Sequence, residues 1–204
     1  MTREAILRSA GAVFSQHGYS AAMLSDVVAA AGVTQGSLYF HFASKHALAS
    51  EVLLRQHERA VELIEGLDPA ARSLESLVMF SVGFTRQIVT DPIVQGGLRL
   101  STDSPLSFPE IASRPYADWI DACEAMLVAA AAEGDVDPAR DLRLLARFVM
   151  SAYTGVQVVS QAVTGWDDLF PRVREMWEII LPDLLVDSRR ADAAALAALV
   201  PESV

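Results

Sequence analysis

The sequence predicts an all-α protein in which a small N-terminal three-helix unit is joined to a larger helical body, and three observations point there. Apolar residues recur at helical spacing in almost every segment. Glycine, proline and capping residues punctuate those segments. Sustained two-residue alternation between turn signals is lacking, so no sheet is expected. With 204 residues and 52% hydrophobic composition, the chain has ample material for a buried core.

The first helix is predicted over residues 3–17, because Ile6, Ala10, Val13, Phe14 and His17 fall on one helical face and Gly18 then stops it. Two short helices follow. Ser25 is the expected cap of one that runs to Ala31 and stops at Gly32, and Thr34 is the expected cap of the next. This is the pattern of a helix-turn-helix. Its second helix would present Thr34, Gln35, Gly36 and Ser37 to base edges, with Gly36 allowing close approach. Leu38 and Phe42, four residues apart, would share the buried face, while Tyr39, His41 and Lys45 offer groups for phosphate. Phe40 fits either the core or the groove. Ser44 should cap a fourth helix with Leu48, Val52 and Leu63 on its apolar face, ending near Glu65.

The stretch Gly32-Val-Thr-Gln-Gly-Ser-Leu-Tyr-Phe-His-Phe-Ala-Ser-Lys45 resembles the signature of the TetR family of bacterial transcriptional regulators, and the likeness extends over residues 5–54. It implies a helical homodimer that holds an operator in double-stranded DNA and releases it when a small molecule binds. It also implies DNA-contact roles for Ser25, Thr34, Gln35, Gly36, Ser37, Tyr39, His41 and Lys45.

Charge is unevenly divided in a way that suits such a protein. The net charge is -10, yet residues 1–60 carry five basic and four acidic side chains while the remainder carries eleven against twenty-two. An acidic body would be repelled by a duplex, which leaves the near-neutral N-terminal unit to dock. No apolar run reaches the length of a membrane span and no signal segment opens the chain, so a cytoplasmic protein without a membrane partner is expected. Catalysis is not expected. Cys123 has no histidine near it in sequence, the four histidines lack the spacing of a helix-borne metal pair, and no phosphate-cradling glycine loop occurs. Neither metal nor cofactor is therefore anticipated, and Asp167-Asp168 is explained by capping.

A domain boundary is placed near residue 48, giving an N-terminal unit over 1–47 and a ligand-binding and dimerisation body over 48–204. Gly66-Leu-Asp-Pro69 punctuates the body, with Asp68 expected to cap a helix over about 70–90. Further helices are predicted at about 93–100, 109–133, 138–164 and 168–186, with a tail at 189–200 and a loop over Ser104–Pro109. The 70–90 helix is apolar nearly all round, which suits a central element. Polar Thr85, Gln87, Thr154 and Gln157, together with Trp119, sit among apolar stretches expected to converge, as in a small-molecule site.

Three stretches of the body, Asp91–Leu100, Pro115–Trp119 and Tyr153–Ser160 with Asp168 and Arg172–Trp177, are similar to the γ-butyrolactone autoregulator receptors of streptomycetes within the TetR family. That likeness implies a small hydrophobic lactone as ligand and Trp119 as a wall of its pocket. The ligand set expected around it is Trp119, Phe84, Thr85, Thr154, Gln157 and Val158, with Thr154 and Gln157 orienting the ligand's head. Both helices at 138–164 and 168–186 have apolar positions spread beyond one face, so a dimer interface is expected there, with Phe148, Ala152, Gly155, Val159, Trp177 and Leu181. Two alternatives stay open: a repressor answering to another hydrophobic metabolite or antibiotic, and a helical interaction module that does not bind DNA.

Overall fold

The computed structural model describes residues 3–103 and 107–204, so Met1, Thr2 and the Ser104–Leu106 part of the expected loop lie outside the described residues. The elements are α1 (Arg3–Ala21), α2 (Leu24–Ala31), α3 (Gln35–His41), α4 (Lys45–Glu65), α5 (Ser73–Thr90), α6 (Pro92–Asp103), α7 (Pro109–Ala132), α8 (Leu142–Thr164), α9 (Leu169–Leu184), a 3-10 turn at Asp187–Asp192 and α10 (Ala193–Ala197). Among the described residues the only extended pairing is one bridge between Val136 and Leu185.

Local signals set several helix ends as expected. Thr34 Oγ accepts from the Ser37 amide at 3.2 Å, Ser44 Oγ accepts from the Ala47 amide at 3.0 Å, and Gly32 ends α2 in the left-handed region with φ of 63°. Elsewhere the ends move. Gly18 kinks α1 at φ 68° and the chain makes one more turn, leaving His17 exposed rather than on the buried face. Ser25 does not cap α2; the Asp26 and Val27 amides close the first turn on the carbonyl of Met23, and Ser25 already lies inside the helix. Asp68 turns the chain by accepting from Ala70, and α5 starts only at Ser73. There the Glu133 carboxylate, sixty residues away, accepts from the Ser73 amide at 3.1 Å and its hydroxyl at 2.6 Å. In the same way Asp137 makes a turn and Asp141 caps α8. Asp168 sits where α9 begins, but its carboxylate accepts from Ser160, Thr164 and Arg172 rather than from helix amides. The Ser160 and Thr164 hydroxyls and the Arg172 guanidinium hold it down to about 2.

The chain clusters into two compact units, and the division differs from a cut at residue 48, which falls inside α4. One unit comprises Met1–Glu62 with Thr90–Pro115, the other Leu63–Val89 with Tyr116–Val204. The first therefore takes in α6, an element that sequence order assigns to the body. Its core gathers Ile6, Leu7 and Phe14 of α1, Val27, Leu38, Phe42, and Leu48, Val52 and Leu53 of α4, closed by Ile93 and Leu100 of α6 and by Phe108. Glycines allow α6 to lie this close. A Cβ on Gly11 would stand 2.4 Å from the Pro92 carbonyl oxygen, and one on Gly96 would stand 2.5 Å from that of Gly11. Asp91 starts α6 by accepting from the Ile93 amide, and its buried carboxylate meets Arg59 of α4 at 3.0 Å and Arg8 of α1 at 3.7 Å.

In the second unit α5 is central, with Leu74, Leu77, Val78, Phe80, Val82, Phe84 and Ile88 all buried. Asp135, nearly sealed from solvent, accepts from both the Arg72 guanidinium (2.7 Å) and Arg189 (3.0 Å), tying the start of α5 to the C-terminal turns. Cys123 is buried, and burial pushes its thiol up to about 12, so it stays protonated and inert as a nucleophile.

Candidate functional site

The reading face is built by α2 and α3. Leu38 is fully buried, and turning 100° per residue from it places Gly36 and Phe40 on the opposite, outward side of α3 with Tyr39 and Ser37 on its two flanks, while Gln35 is exposed as the first residue of the helix. Thr34, Gln35 and Gly36 are exposed, Tyr39 is half exposed, and Ser37 and His41 are partly buried. Ser25 is brought to this set: it shares a shallow groove of about 300 Å³ with Val28, Ala29, Gly32, Val33 and Gln35. Lys45, expected at phosphate, has an amine that donates to the Ser20 carbonyl at 3.2 Å and lies 5.0 Å over the Tyr19 ring. Phe42 is core, and Phe40, left open by the sequence, is 84% exposed.

In the second unit an aromatic wall adjoins a buried polar chain. Trp119 packs against Phe84 with ring centres 5.3 Å apart and edge-on to Tyr116 at 5.5 Å. Phe84 also neighbours Phe80 and Tyr153. The Tyr153 hydroxyl donates to the Ser81 carbonyl at 3.1 Å, so Thr85, 2.9 Å away, donates to it in turn. Trp177 Nε1 donates to Ser81 Oγ at 2.9 Å, and the Gln157 side chain also bonds Tyr153. Burial raises the Tyr153 phenol well above its usual range, so it is neutral near pH 7. Phe84, Thr85, Trp119 and Gln157 of the expected ligand set are thus buried residues of this unit. Thr154 and Val158 do not join them. Thr154 bonds back to its own helix at Met150, which leaves it no hydroxyl proton for a ligand head. Val158 is half exposed, because α8 turns Val149, Tyr153 and Gln157 inward and leaves position 158 on its outer side. Tyr153 and Ser81 were missed; the signal was Tyr153 four residues before Gln157, on the same helical face.

A third surface is the groove between α8 and α9. Phe148, Ala152, Gly155, Val156 and Val159 line one side and Met176, Ile179 and Ile180 the other, enclosing about 390 Å³ with Arg172 and Glu175 also on the lining. Phe148 is 58% exposed and Ile179 78%. Trp177 and Leu181, expected at this face, are instead core residues at 1% and 0% exposure. On α9 the inward set is Val173, Trp177, Leu181 and Leu184, and that leaves Ile179 and Ile180 to the outer face.

Comparison with known proteins places these features. Residues 6–52 match the family described as "Bacterial regulatory proteins, tetR family", and residues 71–186 match "Tetracyclin repressor-like, C-terminal domain". The A-factor receptor protein of Streptomyces griseus is 36% identical over 184 residues, covering 90% of this chain and 63% of that receptor, so the chain spans less than two thirds of that relative's length. A crystal structure of a gamma-butyrolactone receptor (ArpA-like protein) superposes with a TM-score of 0.85 at 33% identity, covering 97% of this chain and 95% of that one. CprB from Streptomyces coelicolor, solved in complex with its operator sequence, superposes with a TM-score of 0.83 at 32% identity, covering 98% and 97%.

Proposed function

The chain belongs to the TetR family of bacterial regulatory proteins, a regulator and not an enzyme, and from that premise we propose that it is a ligand-released repressor. It binds an inverted-repeat operator as a homodimer through α3, and a small uncharged hydrophobic molecule of the γ-butyrolactone class releases it. The observation that carries the ligand reading is the wall of Trp119, Phe84 and Tyr116 beside the buried Thr85, Tyr153 and Gln157. Those polar groups are neutral and none is a charged side chain. A site opened among these residues would favour a ligand with an apolar body and a small polar head over an acid or an amine.

Release requires that the ligand favour one of two arrangements of the protein. A ligand with equal affinity for both shifts nothing, and a tenfold preference corresponds to about 1.4 kcal/mol per site. Burial of roughly two methylenes in one arrangement and not the other supplies that much, at about 0.8 kcal/mol each. The test is to select duplexes from a random pool with the purified protein, then titrate γ-butyrolactones of differing acyl length against the selected duplex. Lactone should lower operator affinity at least tenfold, and Trp119→Ala should keep operator affinity while losing that response. Release that persists unchanged in Trp119→Ala overturns the site. Failure of every lactone, with operator binding intact, moves the reading to a repressor of the same family answering to another hydrophobic metabolite.

Gly36 gives a sharp test of the reading face. A Cβ there would meet nothing closer than Thr34 Oγ at 3.9 Å, so the free protein has room for alanine. Gly36→Ala should leave thermal stability unchanged or raised by up to about 1 kcal/mol, since alanine is the better helix former. It should nonetheless weaken operator binding tenfold or more, because the methyl occupies space that the duplex takes on close approach. Unaltered operator affinity in an equally stable variant would remove Gly36 from the contact.

A further inference from the structure

Phe40 is the one large side chain of α3 that neither the core nor the expected contact set uses. A single exposed apolar residue needs no special explanation; its position does. It lies beside Gly36 on the side of α3 opposite the buried Leu38, flanked by Tyr39, and is 84% exposed. Gly36, one turn earlier, has no side chain to cover it. A helical side chain leans toward the N-terminus of its helix, so the ring is carried toward the end of α3 that enters the groove. One edge is steadied by His41, with ring centres 5.1 Å apart and nearly perpendicular.

We propose that Phe40 is a specificity-determining residue that reads the 5-methyl group of a thymine in each operator half-site. The inference rests on the DNA-binding reading above. Chemistry narrows the choice: a phenyl ring donates and accepts no hydrogen bond, so it gains nothing from phosphate oxygens or from the polar edges of guanine, cytosine and adenine. The thymine methyl is the apolar group that base pairs present in the major groove. The carbons of deoxyribose are the other apolar surface of a duplex, and they carry no sequence.

The experiment separates these. Thymines of the selected operator are replaced one symmetric pair at a time by deoxyuridine, which deletes only the methyl, and each duplex is titrated with wild type, Phe40→Ala and Phe40→Leu. Because Phe40 is exposed, both variants should keep the wild-type Tm. One thymine pair should stand out: its replacement should weaken wild type about fourfold per half-site, roughly fifteenfold for the pair, and leave Phe40→Ala unaffected. Phe40→Leu should retain part of the discrimination. Equal deoxyuridine sensitivity in wild type and Phe40→Ala overturns the proposal, as does a Phe40→Ala variant that binds as tightly as wild type. Weakening of all duplexes alike, with no methyl dependence, assigns the ring to sugar and also overturns it. In each of those cases DNA binding itself stands. A protein that selects no duplex at all removes the DNA-binding reading and this assignment together.

Discussion

Gly96→Ala, like Gly11→Ala on the facing helix, should be among the most damaging small substitutions in this chain, lowering Tm by about 6–12 °C, the shift that roughly 3 kcal/mol produces in a protein of this size. The new methyl would sit 2.5 Å from the carbonyl oxygen of Gly11 and 2.7 Å from its Cα. These are backbone atoms of a helix, and they have no rotamer by which to move aside. Relief requires α6 to lift off α1, which uncovers Ile93 and Leu100 in the core and strains the contacts of Asp91 with Arg8 and Arg59. The gain in helix propensity, about 1 kcal/mol, does not offset this. Gly83→Ala is the control. There the Cβ would meet the end of the Leu63 side chain at 2.9 Å, a group that can rotate, so the change in Tm should be small. Thermal unfolding of the two variants under one set of conditions checks both; a Gly96→Ala protein as stable as wild type would mean that α6 has slack on α1.

That contact also shows what the sequence could not reveal. The helix-turn-helix was legible because its signals are local: Thr34 caps α3, Gly32 stops α2 and Ser44 caps α4, each within a few residues of the end it governs. The assignment of α6 to the N-terminal unit was not, because it depends on Gly11 meeting Gly96 across 85 positions of sequence. The start of α5 was misplaced for the same reason, since the group that caps it is Glu133 and not the neighbouring Asp68. In the second unit, composition identified the right helices and periodicity failed on their faces. With α9 apolar on more than one side, the sequence put Trp177 at the partner face, and only packing turns the indole onto Ser81 and leaves Ile179 outside. Trp119 and Phe84, both in the expected ligand set, pack with ring centres 5.3 Å apart. Tyr153 was legible in its chemistry too, since a tyrosine on the buried face of a helix must find partners for its hydroxyl, here Ser81 and Thr85.

The outer face of α8 and α9 leads to the prediction with the largest expected effect on DNA binding. Ile179→Asp should convert a dimer at micromolar concentration into a monomer and lower operator affinity by roughly a hundredfold or more, with Tm of the protomer little changed. Ile179 is 78% exposed, so the protomer has almost nothing to lose at that position. A second copy related by two-fold symmetry would present Phe148, Val159 and Ile179 to the same groove, and each substitution then acts twice in one interface. Covering a large apolar side chain stabilises by about 1.5–3 kcal/mol, whereas an unpaired carboxylate taken from water costs several kcal/mol. Gly155 is exposed on this face and a Cβ there would meet nothing within 4 Å, so within the protomer it leaves room that a partner helix can use. The link to DNA is geometric: two half-sites of an inverted repeat, about 34 Å apart for one helical turn, are bound together only if one rigid object carries both reading helices. A monomer forfeits the second half-site and retains the weak affinity of one. Sedimentation and operator titration of Ile179→Asp beside wild type test the two links separately. A variant that remains dimeric would place the partner face elsewhere on the body, and a monomeric variant with undiminished operator affinity would show that one α3 suffices.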